Sequence, residues 1–172
     1  MNYFSQETER IYFRKLDESD IETWSEFFEN NDRLEYLGIP DLTKNKYELS
    51  KEWIMIQLER YKTSGLGHIA AIEKSTGNFI GLGGIIPRVI LDKNEYEIAY
   101  SLKPEFWKKG FGTEIATQLK KFGLENSISN RFISIIDIRN TDSINVAKKN
   151  EMSVIHEMEY LGMNVFVFGT SI

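Results

Sequence analysis

The chain has 172 residues, of which 41% are hydrophobic and 13% aromatic, which suffices for one densely packed domain and excludes a disordered or fibrous protein. It has no cysteine, which excludes disulfides, thiolate zinc sites, iron–sulfur clusters and cysteine nucleophiles, and its two histidines are few for a metal centre, so we expect no metal. The net charge of −5 argues against general nucleic-acid affinity.

Location and domain organisation follow from the same composition. No apolar run approaches the roughly 20 residues that a membrane span needs, and residues 1–5 lack the basic and apolar pattern of a signal segment. We therefore expect a cytoplasmic protein with no membrane partner. The three prolines are isolated and no Ser/Gly-rich stretch divides the chain, so residues 1–172 are expected to form a single domain.

The first part of the chain predicts a strand followed by two helices. Residues 10–16 are β-branched and aromatic and predict a strand, which runs into an acidic cluster suited to capping a helix at 17–20. Apolar residues at spacings of three and four then predict a helix to about Phe28, and a second helix over residues 49–61 follows a break at 38–40. We expect the aromatic side chains of these helices to be core rather than a substrate cage: Trp24, Phe27, Phe28 and Trp53.

The middle of the chain changes to the period of strands. Residues 68–72 and 79–86 predict a hairpin, and a turn at 92–94 leads to a third strand over residues 95–102. The second strand carries Gly81-Leu82-Gly83-Gly84, and with no helix after it these glycines indicate bulges or close packing rather than a phosphate loop. Three antiparallel strands therefore follow the two helices.

The remainder predicts a helix, a strand buried on both faces, a short helix and two final strands. These elements are expected over residues 111–122, 131–138, 143–149, 153–160 and 163–170. Because a strand–helix–strand unit joins parallel neighbours, residues 95–102 and 131–138 are expected to run parallel in one sheet. The sequence thus predicts an α/β fold with a sheet of mixed direction.

The turn between the third strand and the long helix carries the clearest chemical signal. Residues 103–121 hold five lysines and two glutamates, a local charge of +3. Gly110 and Gly112 allow the backbone to approach a ligand, and the free N–H groups at the start of a helix bind anionic phosphate, here beside Lys108 and Lys109. A plain tight turn is the alternative, and spacing alone does not decide between the two.

Two other kinds of phosphate loop fit less well. The Gly-Lys-Ser/Thr ending of a nucleoside triphosphate loop is absent, because Gly112 is followed by Thr113 and Glu114. A dinucleotide fingerprint requires a third glycine or alanine where Ile115 stands, and the preceding hairpins do not fit a repeated βαβ fold. Asp137 ends the next strand as a ribose-binding acid would, so dinucleotide binding is a weakened alternative that stays open.

Three segments together resemble the GNAT superfamily of N-acetyltransferases. They are Glu97-Ile98-Ala99-Tyr100, residues 104–114 and residues 140–149. Residues 8–14 and 76–81 also fit the branch that includes the ribosomal-protein N-terminal acetyltransferases (RimJ/RimL-like). The resemblance implies a single-domain, GNAT-type α/β fold with a mixed, mostly antiparallel sheet of about seven strands, a splayed central parallel pair and about four helices.

The resemblance also implies acetyl-CoA as the cosubstrate, held mainly by backbone groups. The pyrophosphate would lie on the amides of the glycine loop: Lys108, Lys109, Gly110, Phe111, Gly112 and Thr113. The pantetheine arm and the acetyl oxygen would lie along the strand before the loop, at Tyr100, Ser101 and Leu102. Asn140 matches an asparagine that contacts the pantetheine arm, and a role in capping the next helix explains it as well.

Two residues match catalytic positions of the family. Glu97 would accept a proton from the amine through water, and a solvent-facing glutamate paired with a lysine is the alternative. Ser143 would donate a hydrogen bond or proton to the departing sulfur, and a structural serine at a helix start is the alternative. Glu95 is a weaker candidate for the base, and no tyrosine lies between residues 131 and 159 to act as the acid. We expect both histidines to be packing or surface residues: His68 and His156.

The resemblance therefore implies an acetyl-CoA-dependent N-acetyltransferase in which a primary amine attacks the thioester directly, without an acyl-enzyme. Residues 1–60 hold eight basic and 14 acidic side chains, so we expect a cationic acceptor such as a basic peptide or a polycationic small molecule. A non-catalytic acyl-CoA-binding regulatory module is the alternative, and we expect a monomer or a homodimer. One departure from the family is Glu151, which stands where a glycine usually ends the short helix.

Overall fold

The computed structural model describes residues 2–170, which contain seven strands and four α-helices. The strands are β1 (Ile11–Arg14), β2 (Gly67–Glu73), β3 (Phe79–Ile90), β4 (Lys93–Leu102), β5 (Ile133–Asp137), β6 (Met152–Tyr160) and β7 (Met163–Thr170). The helices are α1 (Asp20–Ser25), α2 (Lys46–Thr63), α3 (Phe111–Glu125) and α4 (Thr141–Lys149). Short 3-10 helices cover Tyr3–Ser5, Glu26–Phe28, Leu34–Leu37 and Pro104–Phe106.

One sheet contains all seven of these strands, in the order β1-β2-β3-β4-β5-β7-β6. Every neighbouring pair is antiparallel except β4 and β5, which run parallel. β4 and β5 are in register at a single pair, Glu97 with Ile133, so the two strands diverge toward their carboxyl ends. The predicted mixed α/β sheet with a splayed central parallel pair is confirmed.

The helices cover both faces of the sheet, as two consecutive glycines of β3 show. A Cβ at Gly83 would point at the Ile115 side chain of α3, whereas Gly84 is in register with His68, whose ring stacks on Trp53 of α2. Because successive residues of a strand face opposite sides, α2 and α3 lie on opposite faces. α1 packs beside α2, and α4 packs beside α3.

The core lies where the helix faces meet the sheet. Trp24 of α1 is fully buried and stacks on Phe27 and Phe79, with ring centroids 4.5 and 5.8 Å apart. On the other face, α3 buries Ile115 and Leu119 as their spacing predicts. The expectation that Trp24 belongs to the core is confirmed.

Several predicted boundaries differ from the structure, including the turn between β3 and β4 and the end of the first helix. The turn between β3 and β4 lies at Leu91 and Asp92 rather than at 92–94, and both residues have left-handed φ angles, 48° and 61°. Such a two-residue turn follows the twist of the strands, but this one lacks the glycine that usually marks it in a sequence. α1 ends at Ser25, and the chain continues to Phe28 as a 3-10 helix, so the first helix is shorter than predicted.

The glycines of β3 permit close approach of neighbouring backbone. A Cβ at Gly84 would lie 2.3 Å from the carbonyl oxygen of Gly67, and one at Gly81 would lie 2.4 Å from the carbonyl oxygen of Ser101. A Cβ at Gly83 would lie 2.3 Å from the side chain of Ile115. The glycine cluster therefore serves close packing, as predicted, and sets the distance of β3 from both of its neighbours and from α3.

We expect Gly84→Ala to lower the free energy of unfolding by about 3 kcal/mol, because the new methyl group meets backbone that moves only if the β2–β3 ladder shifts. Urea unfolding measures this loss. Gly65→Ala is the control, because its Cβ has no heavy atom within 4 Å and only its φ of 71° is strained, at about 1 kcal/mol. Equal losses in the two variants would contradict the proposed clash.

Candidate functional site

A cleft of about 420 Å³ opens where β4 and β5 diverge. The loop before α3 and the first turns of α3 and α4 line it on one side of the sheet. Residues of α2, β2 and the segment 27–37 line it on the other side. All residues predicted to bind acetyl-CoA or to act in catalysis line this cleft, with the exception of Lys109.

The carboxyl half of β4 directs main-chain groups into the gap beside β5. The carbonyl oxygen of Ile98 accepts a hydrogen bond from Ser134 Oγ of β5 at 2.8 Å, and that of Leu102 accepts one from Trp107 Nε1 at 2.8 Å. Alternate residues of a strand direct their N–H and C=O groups to the same side, so those of Tyr100 also face the gap. This edge can hold an extended ligand by main-chain hydrogen bonds.

Two predicted residues are placed differently from the others. Ser101 is in register with Leu82 of β3, so its main chain faces β3 and only its side chain is left to meet a ligand in the cleft. The ammonium group of Lys109 lies over the ring of Phe106, 5.4 Å from its centroid. Lys108 lines the cleft, and of the two predicted lysines it is the one that adds charge there.

The loop before α3 presents the amino end of that helix to the cleft. Lys108 and Gly110 have left-handed φ angles of 60° and 83°, and α3 begins at Phe111 without a side-chain cap. The first amides of the helix therefore have no side-chain acceptor, and the positive end of the helix dipole faces the same space. Such an end binds an anionic phosphate group.

Arg10 connects the N-terminal segment to this loop, and the sequence did not predict this contact. Its guanidinium donates to the carbonyl oxygen of Lys109 at 3.0 Å, lies 4.2 Å from the centroid of the Phe111 ring and pairs with Glu114 at 2.7 Å. Thr8 Oγ1 also donates to Glu114, at 2.6 Å. Burial raises the pKa of Glu114, but the hydrogen bonds from Thr8 and Arg10 outweigh it and lower that pKa.

Glu97 is buried and paired with an arginine. Its carboxylate accepts a hydrogen bond from Arg88 Nε at 2.7 Å, and the residue is 7% exposed. The alternative of a solvent-facing glutamate with a lysine partner is therefore wrong. Glu95 pairs with Arg131 and does not line the cleft.

Ser143 and Asn140 meet at the start of α4. Asn140 Oδ1 accepts a hydrogen bond from the Ser143 amide at 3.3 Å, so Asn140 does cap α4, and it also lines the cleft. The hydroxyl of Tyr100 donates to the carbonyl oxygen of Ser143 at 3.3 Å. Burial raises the pKa of Tyr100, which keeps this hydroxyl protonated. β4 and α4 are thereby joined across the cleft.

Two other residues that the sequence singled out form ion pairs with nearby basic side chains. The carboxylate of Asp137 accepts hydrogen bonds from Arg139, which lower its pKa, so the acid that a dinucleotide ribose would require is already engaged. Glu151 adopts a left-handed φ of 61° and pairs with Lys120 at 3.2 Å. It takes the conformation that a glycine would have at this helix end, at a cost of about 1–2 kcal/mol.

The wall formed by α2 is aromatic. Trp53 Nε1 donates to His68 Nδ1 at 3.1 Å, and Phe27 and Trp53 line the cleft beside His68. Phe27 is a buried core residue and Trp53 packs against the core, as predicted, and both side chains also contribute to the wall of the cleft. His68 is buried, as expected for a packing residue, and burial together with the charges of Arg60 and Arg88 lowers its pKa to about 3.

The segment before α2 crosses the cleft from one wall to the other. The guanidinium of Arg33 lies 4.0 Å from the ring centroid of Trp107 and donates to Asp142 at 2.7 Å. Arg139 lies 4.9 Å from the ring centroid of Tyr36. Arg33 and Tyr36 line the cleft and were missed, because no local pattern connects them with residues more than 70 positions away.

The acidic side chains of residues 1–60 do not line the cleft. The cleft residues from this part of the chain are apolar, polar or basic: Phe27, Asn31, Arg33, Tyr36, Leu37 and Trp53. Glu22, Glu26 and Glu29 instead surround a separate depression that also contains Lys46 and Glu105. The charge imbalance on which a cationic acceptor was expected therefore lies elsewhere on the surface.

Comparison with known proteins gives one family and one fold. Residues 10–153 match the sequence model of the family described as acetyltransferase (GNAT) domain. The uncharacterized protein YkkB of Bacillus subtilis (strain 168) is 28% identical over 144 residues, which cover 83% of this chain and 81% of that protein.

Two solved structures illustrate the shared fold. An acetyltransferase from Agrobacterium tumefaciens has a TM-score of 0.78 at 20% identity, over 98% of this chain and 94% of that chain. RimL, a ribosomal alpha-N-protein acetyltransferase solved in complex with coenzyme A, has a TM-score of 0.78 at 17% identity, over 96% of each chain. At these identities the likeness concerns the fold.

Residues 2–170 lack two features, a membrane-spanning helix and a cluster of metal ligands. None of the helices there is both long enough and apolar enough to cross a membrane. The same residues contain no group of three or more histidine, cysteine, aspartate or glutamate side chains that could hold a metal ion.

Glu114→Gln is expected to lower the free energy of unfolding near neutral pH by about 1 kcal/mol, because it weakens the hydrogen bonds from Thr8 and Arg10. A carboxylate with a lowered native pKa stabilises the fold above its ordinary pKa of 4.5, and this contribution is lost as pH falls through the native pKa. The difference from the wild type should therefore shrink well below pH 4.5.

Urea unfolding at several pH values measures the effect. Glu125→Gln is the matched control, because it removes one carboxylate from the same helix at an exposed position. A pH-independent difference for Glu114→Gln, or an equal one for Glu125→Gln, would contradict the assignment.

Proposed function

The chain belongs to the GNAT acetyltransferase family, and we propose that it transfers the acetyl group of acetyl-CoA to a primary amine by direct attack in a ternary complex. The observation that carries the proposal is the cleft between β4 and β5, which opens onto the uncapped amino end of α3. The acceptor is a peptide N-terminus or a small amine. With no cysteine in the chain, no thiol-bound acyl-enzyme can form.

The residues of the cleft fit the anionic cosubstrate. The amides from Gly110 to Thr113, with the Lys108 side chain, offer donors and positive charge for a pyrophosphate. The main chain at Tyr100 and Leu102 offers hydrogen bonds along the gap for an extended amide-containing arm. Acetyl-CoA supplies the activated acetyl thioester, and RimL, which has this fold, was solved with coenzyme A.

Glu97 is the proposed proton acceptor. An ordinary alkyl amine has a pKa of about 10.4 and an α-amine about 8, so the acceptor must lose a proton before it can attack. The ion pair with Arg88 fixes the carboxylate at the edge of the cleft, and a water molecule would relay the proton to it. In this proposal the buried carboxylate of Glu97 accepts the proton that the amine loses.

The opposite wall serves the leaving group. As the amine nitrogen forms the new C–N bond, the C–S bond breaks, one proton leaves the nitrogen toward Glu97 and one reaches the sulfur. The Ser143 hydroxyl, which lines the cleft at the start of α4, donates to the sulfur and is reprotonated from solvent. A main-chain N–H of β4 that faces the gap stabilises the negative charge on the carbonyl oxygen.

We expect Glu97→Gln to lower kcat about 100-fold, because general-base catalysis typically contributes 100-fold or more. The dissociation constant for coenzyme A should stay within twofold, since Glu97 lies away from the α3 loop. Thiol release from acetyl-CoA with a panel of amines measures kcat, and calorimetry measures binding. Glu95→Gln is the matched control, because that carboxylate lies two residues earlier on the same strand, pairs with Arg131 and does not line the cleft.

Undiminished turnover in Glu97→Gln would remove Glu97 from the mechanism. Tight coenzyme A binding by the wild type with no amine-dependent thiol release from any amine would instead favour the non-catalytic acyl-CoA-binding module.

Thermal unfolding with added ligands tests the loop assignment. Coenzyme A is expected to raise the Tm by several degrees, because a ligand that binds only the folded state stabilises it by mass action. NAD and ATP should raise it much less, since Asp137 is engaged by Arg139 and the loop lacks a nucleotide fingerprint. A rise with NAD or ATP and none with coenzyme A would overturn the assignment of the cleft.

A further inference from the structure

Residues 31–38, between α1 and α2, form a strap that crosses the cleft and is held by side chains. Each of these residues is half-buried or exposed, and a short 3-10 helix covers Leu34–Leu37. Within residues 2–170, no hydrogen bond between main-chain groups joins the strap to the sheet or to an α-helix. A segment with few buried groups and no main-chain attachment opens at a lower free-energy cost than the elements beneath it.

Arg33 of the strap contacts both walls of the cleft. Its guanidinium lies 4.0 Å from the ring centroid of Trp107 and donates to an oxygen of Asp142 at 2.7 Å. Trp107 belongs to the connection between β4 and α3, and Asp142 lies in the first turn of α4. Arg33 therefore joins the wall that follows β4 to the wall that follows β5.

Two hydrogen bonds from β4 extend this bridge into a ring. Trp107 Nε1 donates to the carbonyl oxygen of Leu102 at 2.8 Å. The hydroxyl of Tyr100, two residues earlier on β4, donates to the carbonyl oxygen of Ser143 at 3.3 Å. Together with the guanidinium bridge and the chain itself, these contacts form a closed ring whose members all line the cleft: Arg33, Tyr100, Leu102, Trp107, Asp142 and Ser143.

The ring lies between the two parts of the site that acetyl-CoA would connect. In the arrangement proposed above, the pyrophosphate lies on the amides from Gly110 to Thr113, which follow Trp107 in the chain. The thioester lies in the gap near Glu97, which precedes Tyr100 on β4. The pantetheine arm that joins them would therefore cross the ring.

Resting on the acetyl transfer proposed above, we propose that Arg33 is a clasp over the cosubstrate, which closes the strap across the pantetheine arm and must open before coenzyme A enters or leaves. A guanidinium suits this role because its planar fork stacks on a ring while it donates to a carboxylate. Arg33 and Asp142 stay 28% and 41% exposed, so their ion pair is weak enough to break and form again in each cycle.

The other end of the strap is attached elsewhere. The guanidinium of Arg139, which follows β5, lies 4.9 Å from the ring centroid of Tyr36 and pairs with Glu35 at 3.3 Å. Gly38 lies against the turn between β6 and β7, since a Cβ there would be 3.0 Å from Leu161 Cβ. The end of the strap that carries the clasp is therefore the end that lifts.

The exchange kinetics of coenzyme A test the clasp. Surface plasmon resonance with the immobilised protein measures its association and dissociation rate constants with no acceptor present and no turnover. We expect Arg33→Gln to raise both rate constants about tenfold, because a stacked ion pair no longer contributes to the barrier in either direction. The dissociation constant, which is the ratio of the two, should change less than about threefold.

Two other roles for Arg33 predict a different result. If Arg33 only attracted the anionic ligand, its loss would slow association. If Arg33 only bound the cosubstrate, its loss would speed dissociation and leave association unchanged. A slower or unchanged association rate in Arg33→Gln would therefore overturn the clasp.

Lys44→Gln is the matched control. It removes one positive charge from the same connection between α1 and α2, where Lys44 pairs with Glu52 and does not line the cleft. Both rate constants should stay near the wild-type values. Equal acceleration in Lys44→Gln and Arg33→Gln would contradict a specific role for Arg33.

Asp142→Asn removes the other partner of the ion pair and should also raise both rate constants. The double variant with Arg33→Gln should exchange coenzyme A no faster than Arg33→Gln alone, because both changes open the same contact. Multiplying effects would contradict a shared clasp. Thermal unfolding verifies the fold of each variant.

Should Arg33→Gln not fold, Arg33→Lys serves in its place. This variant keeps the charge but loses the planar fork, so both rate constants should rise by a smaller factor. Unchanged rate constants in the folded variant would contradict the clasp.

The two proposals fail in different ways. Unchanged exchange rates in Arg33→Gln, with acetylation of amines intact, would overturn only the clasp. Coenzyme A binding without acetylation of any amine would contradict the proposed function and leave the clasp in place. Failure of the wild type to bind coenzyme A would overturn both.

Discussion

A single register pair between two parallel strands determines most of this structure. β4 and β5 meet at Glu97 and Ile133, and a Ser134 hydroxyl hydrogen bond to Ile98 marks the point beyond which they separate. Main-chain groups that would complete a ladder are directed at an open gap instead. A sheet tolerates this only if other elements line the gap and a ligand or water satisfies the exposed groups. The helices and loops around the cleft line this gap.

Polar and aromatic contacts between distant parts of the chain hold the walls of the gap. Arg10 connects the N-terminal segment to the α3 loop, and Arg33 connects the segment before α2 to Trp107 and Asp142. Each uses a planar guanidinium that stacks on a ring while it donates to an oxygen, which fixes orientation better than a lysine would. The loop that would meet a pyrophosphate is thus supported from outside the cleft before any ligand arrives.

Much of the fold could be predicted because its signals are local. The apolar spacing of α3 and the strand period of residues 68–102 identify the elements, and strand–helix–strand connectivity makes β4 and β5 parallel. Divergence of these strands was expected only from resemblance to a family, since nothing in strand propensity shows where a ladder stops. Leu91 and Asp92 form a turn that lacks the glycine signal, so its position was one residue off.

The residues of the site that belong to the loop motif could be predicted from the sequence. Contacts between charged residues that are distant in the sequence could not. Gly110 and Glu97 belong to one short stretch of sequence, but Arg10 and Glu114 are 104 positions apart. The acidic excess of residues 1–60 suggested a cationic acceptor, yet none of those carboxylates lines the cleft, and Arg88 pairs with Glu97 there. Net charge of a segment says how much charge there is, and only the fold says which surface carries it.

The three tryptophans of the chain occupy three different environments, which gives the protein a built-in set of optical probes. Trp107 lies against Arg33 beside the α3 loop, Trp53 donates to His68 on the α2 wall, and Trp24 is enclosed among aromatic rings of the core. Intrinsic fluorescence from Trp107 thus reports on one end of the cleft and that from Trp53 on the other. Trp24 and Trp53 lie edge to face with ring centroids 5.7 Å apart, so these two report together on the α2 side, and Trp107 reports on the α3 loop without an attached dye.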